Sequence, residues 1–107
     1  MLDDAQLLNA YQQMADLSAR MLAATGERDW DALADQERQQ DALLLMLQRA
    51  DTGERRPADV LRRQQALIEE ILANQSKRSE LALEWRESIA ALLGSVDSAR
   101  RIAKAYG

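Results

Sequence analysis

The sequence predicts an all-α fold: an antiparallel helical bundle with two shorter helices packed on one long helix, plus a short C-terminal helix. Three observations predict it. First, apolar and long amphipathic residues recur in alternating steps of three and four. They are Leu61, Gln64, Ile68, Ile71, Gln75, Arg78, Ala82, Trp85, Ile89, Leu92 and Val96. This seven-residue repeat belongs to a helix that presents one seam to other helices. Second, Leu, Ala, Gln, Glu and Arg dominate, whereas Val, Thr and aromatics are scarce, a composition of bundles and coiled coils. Third, one Pro and four Gly in 107 residues leave little turn chemistry for a sheet. A chain of this length fits one domain, so residues 1–107 read as a single helical unit.

The first helix is expected over about residues 3–25. Asp3 is a candidate N-cap, and Asp4 favours the positive helix end. Leu7, Tyr11, Met14, Ser18, Met21 and Thr25 carry the three-four spacing, and Leu8, Ala15 and Leu22 widen the stripe. Gly26 can take the left-handed stop conformation. The second helix is expected over about 29–49, capped by Asp29. Trp30, Leu33, Glu37, Gln40, Leu44 and Leu47 mark its stripe. Its middle is polar, but Leu43 to Leu47 puts apolar groups on every side. Such a segment is enclosed by neighbours or lacks one. A short connection makes the first two helices an antiparallel hairpin.

Residues 50–56 read as a loop. Pro57 suits the first turn of the third helix, where its missing N–H costs nothing. That helix is expected over about 57–93, roughly 55 Å at 1.5 Å per residue, with Gly94 as its stop. Ser95 or Asp97 would then cap a fourth helix over about 96–106.

The lengths do not match. Two helices of roughly 30–35 Å lie beside one of roughly 55 Å. With the second helix antiparallel to the third, the hairpin tip near Gly26 would lie level with Lys77 to Leu81. Trp85, Ile89 and Leu92 would then lack cover from the hairpin, at roughly 1.5–3 kcal/mol per large side chain. The expected binding groove is therefore Ile71, Leu81, Trp85, Ile89 and Leu92, open to an amphipathic helix. Ile102 and Tyr106 of the last helix would serve as a reversible lid. Residues 27–41 hold six acids against two bases, and residues 97–104 hold three bases against one acid. Attraction between these segments would hold a lid only weakly, since exposed ion pairs contribute about 0–1 kcal/mol each.

Catalytic and metal chemistry finds little support. There is no His and no Cys, which removes the commonest general base, imidazole ligation and structural zinc. Asp3/Asp4 and Glu69/Glu70 are adjacent and diverge by about 100° on a helix, so neither forms a dyad. Ser76 and Ser79 have no base beside them. No enzyme activity and no cofactor are expected. Arg55, Arg56, Arg62 and Arg63 form a basic cluster without aromatics, more like a solvated helix start than an anion site. The net charge of −4 argues against direct nucleic-acid binding. The longest apolar run, Ala42 to Leu47, has six residues, far short of the ~20 needed to cross a membrane. The acidic opening Met1-Leu2-Asp3-Asp4 is unlike a signal peptide, and the lack of cysteine fits the cytoplasm.

Two short stretches resemble a known family. One is Gly26-Glu27-Arg28-Asp29-Trp30-Asp31-Ala32-Leu33, similar to a Gly-Glu-Trp-Asp-x-Leu pattern, with Arg28 and Asp29 as a two-residue insertion. The other is Leu92-Leu93-Gly94-Ser95 with Ala105-Tyr106-Gly107, similar to Leu-Ile-Gly and Ala-Tyr-Gly. Both patterns, and the helix layout, resemble the flagellar type III export chaperone family FliT. The resemblance implies a cytoplasmic, helical, non-enzymatic protein that binds the filament-cap protein FliD before export. It also implies contacts with the export ATPase and the export gate, and in some enteric bacteria inhibition of the master regulator FlhDC through FlhC. It further implies that the last helix covers the binding surface, with Tyr106 as its aromatic. The residues alone leave open a self-associating coiled coil without an export client, as monomer or homodimer, and a transcription-factor inhibitor.

Overall fold

The computed structural model describes residues 2–50 and 55–106, the last with backbone only at 96, 98, 99 and 106. Three helices make up the fold: α1 (Asp4–Glu27), α2 (Trp30–Ala50) and α3 (Ala58–Tyr106). The all-α, bundle-type fold expected from the heptad spacing is what forms.

α1 begins with a capping box. The Asp3 carboxylate accepts from the Gln6 backbone N–H at 2.7 Å, and the Gln6 side-chain oxygen accepts from the Asp3 N–H at 3.0 Å. Two otherwise unpaired donors are satisfied reciprocally. The helix ends in a Schellman arrangement, with the Arg28 N–H donating to Thr25 O at 3.2 Å and the Asp29 N–H to Ala24 O at 2.9 Å. The left-handed residue is Arg28, φ 58° and ψ 34°, and not Gly26, which stays inside the helix. The Asp29 carboxylate then caps α2 by accepting from the Ala32 N–H at 3.2 Å.

α1 is the middle helix. Cα atoms approach closely between α1 and α2 and between α1 and α3, and nowhere between α2 and α3 among the described residues. Its buried residues therefore span a broad arc: Leu7, Met14 and Met21 at the centre, Ala10, Leu17 and Ala24 to one side, Ser18 and Thr25 to the other. The second flank faces α3. There Asn74 Nδ2 donates to Ser18 Oγ at 3.0 Å, and Gln64 Nε2 donates to Tyr11 Oη at 3.1 Å. Ser18 Oγ in turn donates to Ala15 O at 2.7 Å, so a buried hydroxyl is satisfied on both counts. Leu7, Ala10, Met14, Leu47 and Val60 form the main core cluster, with Leu43 and Ile71 packed on it.

These pairs also set direction and register. Arg56 meets Asp4 at 3.0 Å, Arg63 Nη2 donates to Gln12 at 2.9 Å, and Asn74 meets Ser18. Numbers rise together, so α1 and α3 run parallel while α2 runs back between their ends. The basic cluster thus divides: Arg56 and Arg63 tie the start of α3 to α1, while Arg55 and Arg62 are exposed.

α3 departs from expectation at Gly94. Helix continues through it to Tyr106, giving 49 residues. The expected stop at 93 and the separate fourth helix over 96–106 are absent; that segment is helical but collinear with the rest. A stop would require a left-handed residue and forfeit backbone bonds on both sides of Gly94. Nothing lies within 4 Å of a Cβ built there, so no contact offsets that loss. Keeping Gly inside the helix costs only about 1 kcal/mol relative to Ala. At 1.5 Å per residue α3 is about 73 Å long, matching the molecule's longest extent of 74 Å.

Candidate functional site

The half-buried or buried positions of α3 are Val60, Gln64, Leu67, Ile68, Ile71, Asn74, Arg78, Leu81, Ala82 and Trp85, a stripe in steps of four and three that Ile68 and Ala82 widen. Gln64, Ile68, Ile71, Arg78, Ala82 and Trp85 are positions the sequence pattern marks. Val60, Leu67, Asn74 and Leu81 join them on the side turned toward α1, while Leu61 and Gln75 are exposed. Past Trp85 every described side chain of α3 is exposed.

The hairpin tip explains where cover stops. The Arg28 guanidinium carbon lies 3.9 Å from the centroid of the Trp85 ring. The tip is therefore level with Trp85, not with Lys77 to Leu81. From 86 to 106 the helix projects about 30 Å with no neighbour alongside. Ile89 is 37% exposed, Leu92 64% and Leu93 59%.

The five expected groove residues therefore do not form one surface. Ile71 packs on the main core, and Leu81 lies half-buried in the seam. Trp85 sits at the boundary, half-buried under Arg28. Only Ile89 and Leu92 are open, and Leu93 joins them. Leu93 follows Ile89 by four residues, a spacing that puts it on the same face and that could have found it. Ile102, 59% exposed, lies on the same unbroken helix, about 25 Å past Trp85. In this form it does not cover the Ile89–Leu93 face. The Tyr106 side chain lies outside the described residues.

A second apolar patch lies on α2. Leu44, Leu45 and Met46 are all more than two-fifths exposed, while Leu47 alone in that helix is buried. α2 has one neighbour, so the all-round apolar segment is only half enclosed. Of the Met and aromatic positions, Met14 and Met21 are core and Tyr11 is half-buried. Trp30 and Met46 lie at the surface.

Ser76, Ser79, Glu69 and Glu70 are exposed along α3, before the projecting end. Among the described residues no cluster of three or more His, Cys, Asp or Glu could hold a metal ion, and no helix is long and apolar enough to cross a membrane. What the overhang offers is a narrow apolar strip on a rigid rod, suited to laying one helix along another.

No curated protein and no solved structure gives a significant match. A family model described as flagellar protein FliT matches residues 8–107, from the first turns of α1 to the end of the projecting rod. With a match across essentially its whole length, the chain belongs to the FliT family of flagellar chaperones.

Proposed function

We propose that this protein is a cytoplasmic export chaperone whose client docks on the projecting end of α3. Family membership supports a role in flagellar export. The observation that carries the site is the run of Ile89, Leu92 and Leu93, exposed on a helix that outreaches its hairpin. A side chain such as Leu92 gains roughly 1.5–3 kcal/mol when fully covered, so a docked amphipathic helix offsets much of its own ordering cost. The resemblance in the sequence names the filament-cap protein FliD as the client, the export ATPase and export gate as later contacts, and FlhC as a regulatory target in some hosts. No catalysis enters this reading; the protein holds and delivers.

The test is co-purification with the C-terminal segment of the host's FliD. The wild-type chain should retain it, and Leu92→Asp should lose it while keeping its helical circular dichroism. Equal retention by both would remove the projecting end of α3 as the docking face.

A second reading is self-association. Leu61, Leu72 and Leu83 recur every eleven residues and are each about half exposed. Eleven residues is close to three turns, so the three share one face. A sedimentation mass of twice the chain, lost on Leu72→Glu, would favour that reading.

A further inference from the structure

The projecting end of α3 is not only apolar. At about 100° per residue, Arg86, Leu92, Leu93, Arg100 and Lys104 all fall within about 60° of Ile89 on the helix surface. Cations therefore stand at both ends of the apolar strip. Of the two carboxylates of this segment, Glu87 points away at about 160° from Ile89, and Asp97 stands at the margin of the face at about 80°, one acid against three cations. Among the described residues, none of Arg86, Arg100 and Lys104 makes an ion pair.

We infer that the occupant of this face is an acidic amphipathic helix: an apolar stripe for Ile89, Leu92 and Leu93, rimmed by Asp or Glu that meet Arg86, Arg100 and Lys104. The inference rests on the client-docking reading above and adds the chemistry that selects the client. A purely apolar partner laid over this strip would strip water from the three cations and return nothing for it. A basic partner would add repulsion. Carboxylates on the rim restore the lost hydration as charge-assisted bonds and set register along the rod. From Arg86 to Lys104 is about 27 Å, the length of a helix of about 18 residues.

Charge also separates this occupant from an anionic membrane. Residues 86–107 carry four bases and two acids, whereas residues 1–85 carry ten bases and sixteen acids. A short basic strip on an acidic body is repelled by an extended anionic surface but not by one acidic helix placed along the strip.

The test uses the full chain and two synthetic helical peptides of about 20 residues, long enough to span the strip. Both carry the same Leu stripe, one flanked by Glu and one by Lys. The Glu peptide should bind at least about tenfold tighter in about 50 mM salt, and that preference should shrink by about 300 mM, where the Debye length is much shorter. Arg100→Glu with Lys104→Glu should erase or invert the preference, with circular dichroism reporting that the helix persists. Equal affinity for both peptides, tighter binding of the Lys peptide, or a preference unchanged in the double variant would each overturn the inference. So would binding to phosphatidylglycerol vesicles with neither peptide bound, or a stable dimer whose face excludes the Glu peptide. The FliD segment separates the two proposals. If Leu92→Asp loses it and the charge-reversed variant keeps it, the docking face stands and the acidic preference falls. If both variants keep it, both proposals fall.

Discussion

The Arg28 guanidinium stacks on the Trp85 ring at 3.9 Å, and Arg28 holds the positive φ recorded outside glycine among the described residues. The two facts are linked. A left-handed backbone costs an L-residue roughly 1–2 kcal/mol, and cation–π stacking returns about 0.5–2 kcal/mol. Arg28 thus closes α1 and fixes the level at which the hairpin stops covering α3.

Replacing Arg28 separates these effects. Arg28→Ala keeps the backbone cost and loses the stacking of an exposed guanidinium, so it should destabilise the chain by about 0.5–1 kcal/mol. Arg28→Gly loses the stacking and also relieves the backbone, so it should be more stable than the Ala variant by roughly 1 kcal/mol. Urea unfolding of the two variants checks the order. An Ala variant as stable as wild type would show that the stack contributes nothing.

Core and projecting residues should respond oppositely. Met21 is fully buried between the helices, and Met21→Ala should cost about 2–5 kcal/mol in unfolding free energy. Leu92→Ala should change stability by no more than about 0.5 kcal/mol, since Leu92 has no neighbour to lose. The same Leu92 variant should weaken client binding about tenfold or more. Thermal unfolding and calorimetric titration together make the comparison.

Much of this arrangement was legible in the sequence. The α1 stripe Leu7, Tyr11, Met14, Ser18, Met21 and Thr25 is buried or half-buried throughout, with Tyr11 and Ser18 bonded to α3. The α2 stripe is shifted: Gln36 and Leu43 face inward where Glu37 and Leu44 were expected. Leu43 and Leu44 are both apolar, and periodicity cannot choose between neighbours that fit equally. The left-handed Arg28 was hidden because its stabilising contact, Trp85, lies on another helix. Gly94 misled for a related reason. Glycine permits a helix stop but does not impose one, and the decision lies with contacts that Gly94 does not have.

That difference reverses one expectation. A folded-back lid of Ile102 and Tyr106 would mean that removing residues 96–107 tightens client binding. A straight rod with Arg100 and Lys104 on the docking face means that removal weakens it, by about tenfold or more for an acidic client. Because every described side chain of the removed segment is exposed, the truncation should leave the unfolding midpoint nearly unchanged. Binding by calorimetry of the truncated and full chains reads the sign directly.

The most direct measurement is hydrogen exchange of the chain alone and bound to its export client. The account predicts new protection over residues 86–104, where amides on a solvated helix exchange readily, and little change across α1 and α2. Protection confined to the α1–α2 hairpin, with the end of α3 exchanging as before, would contradict it.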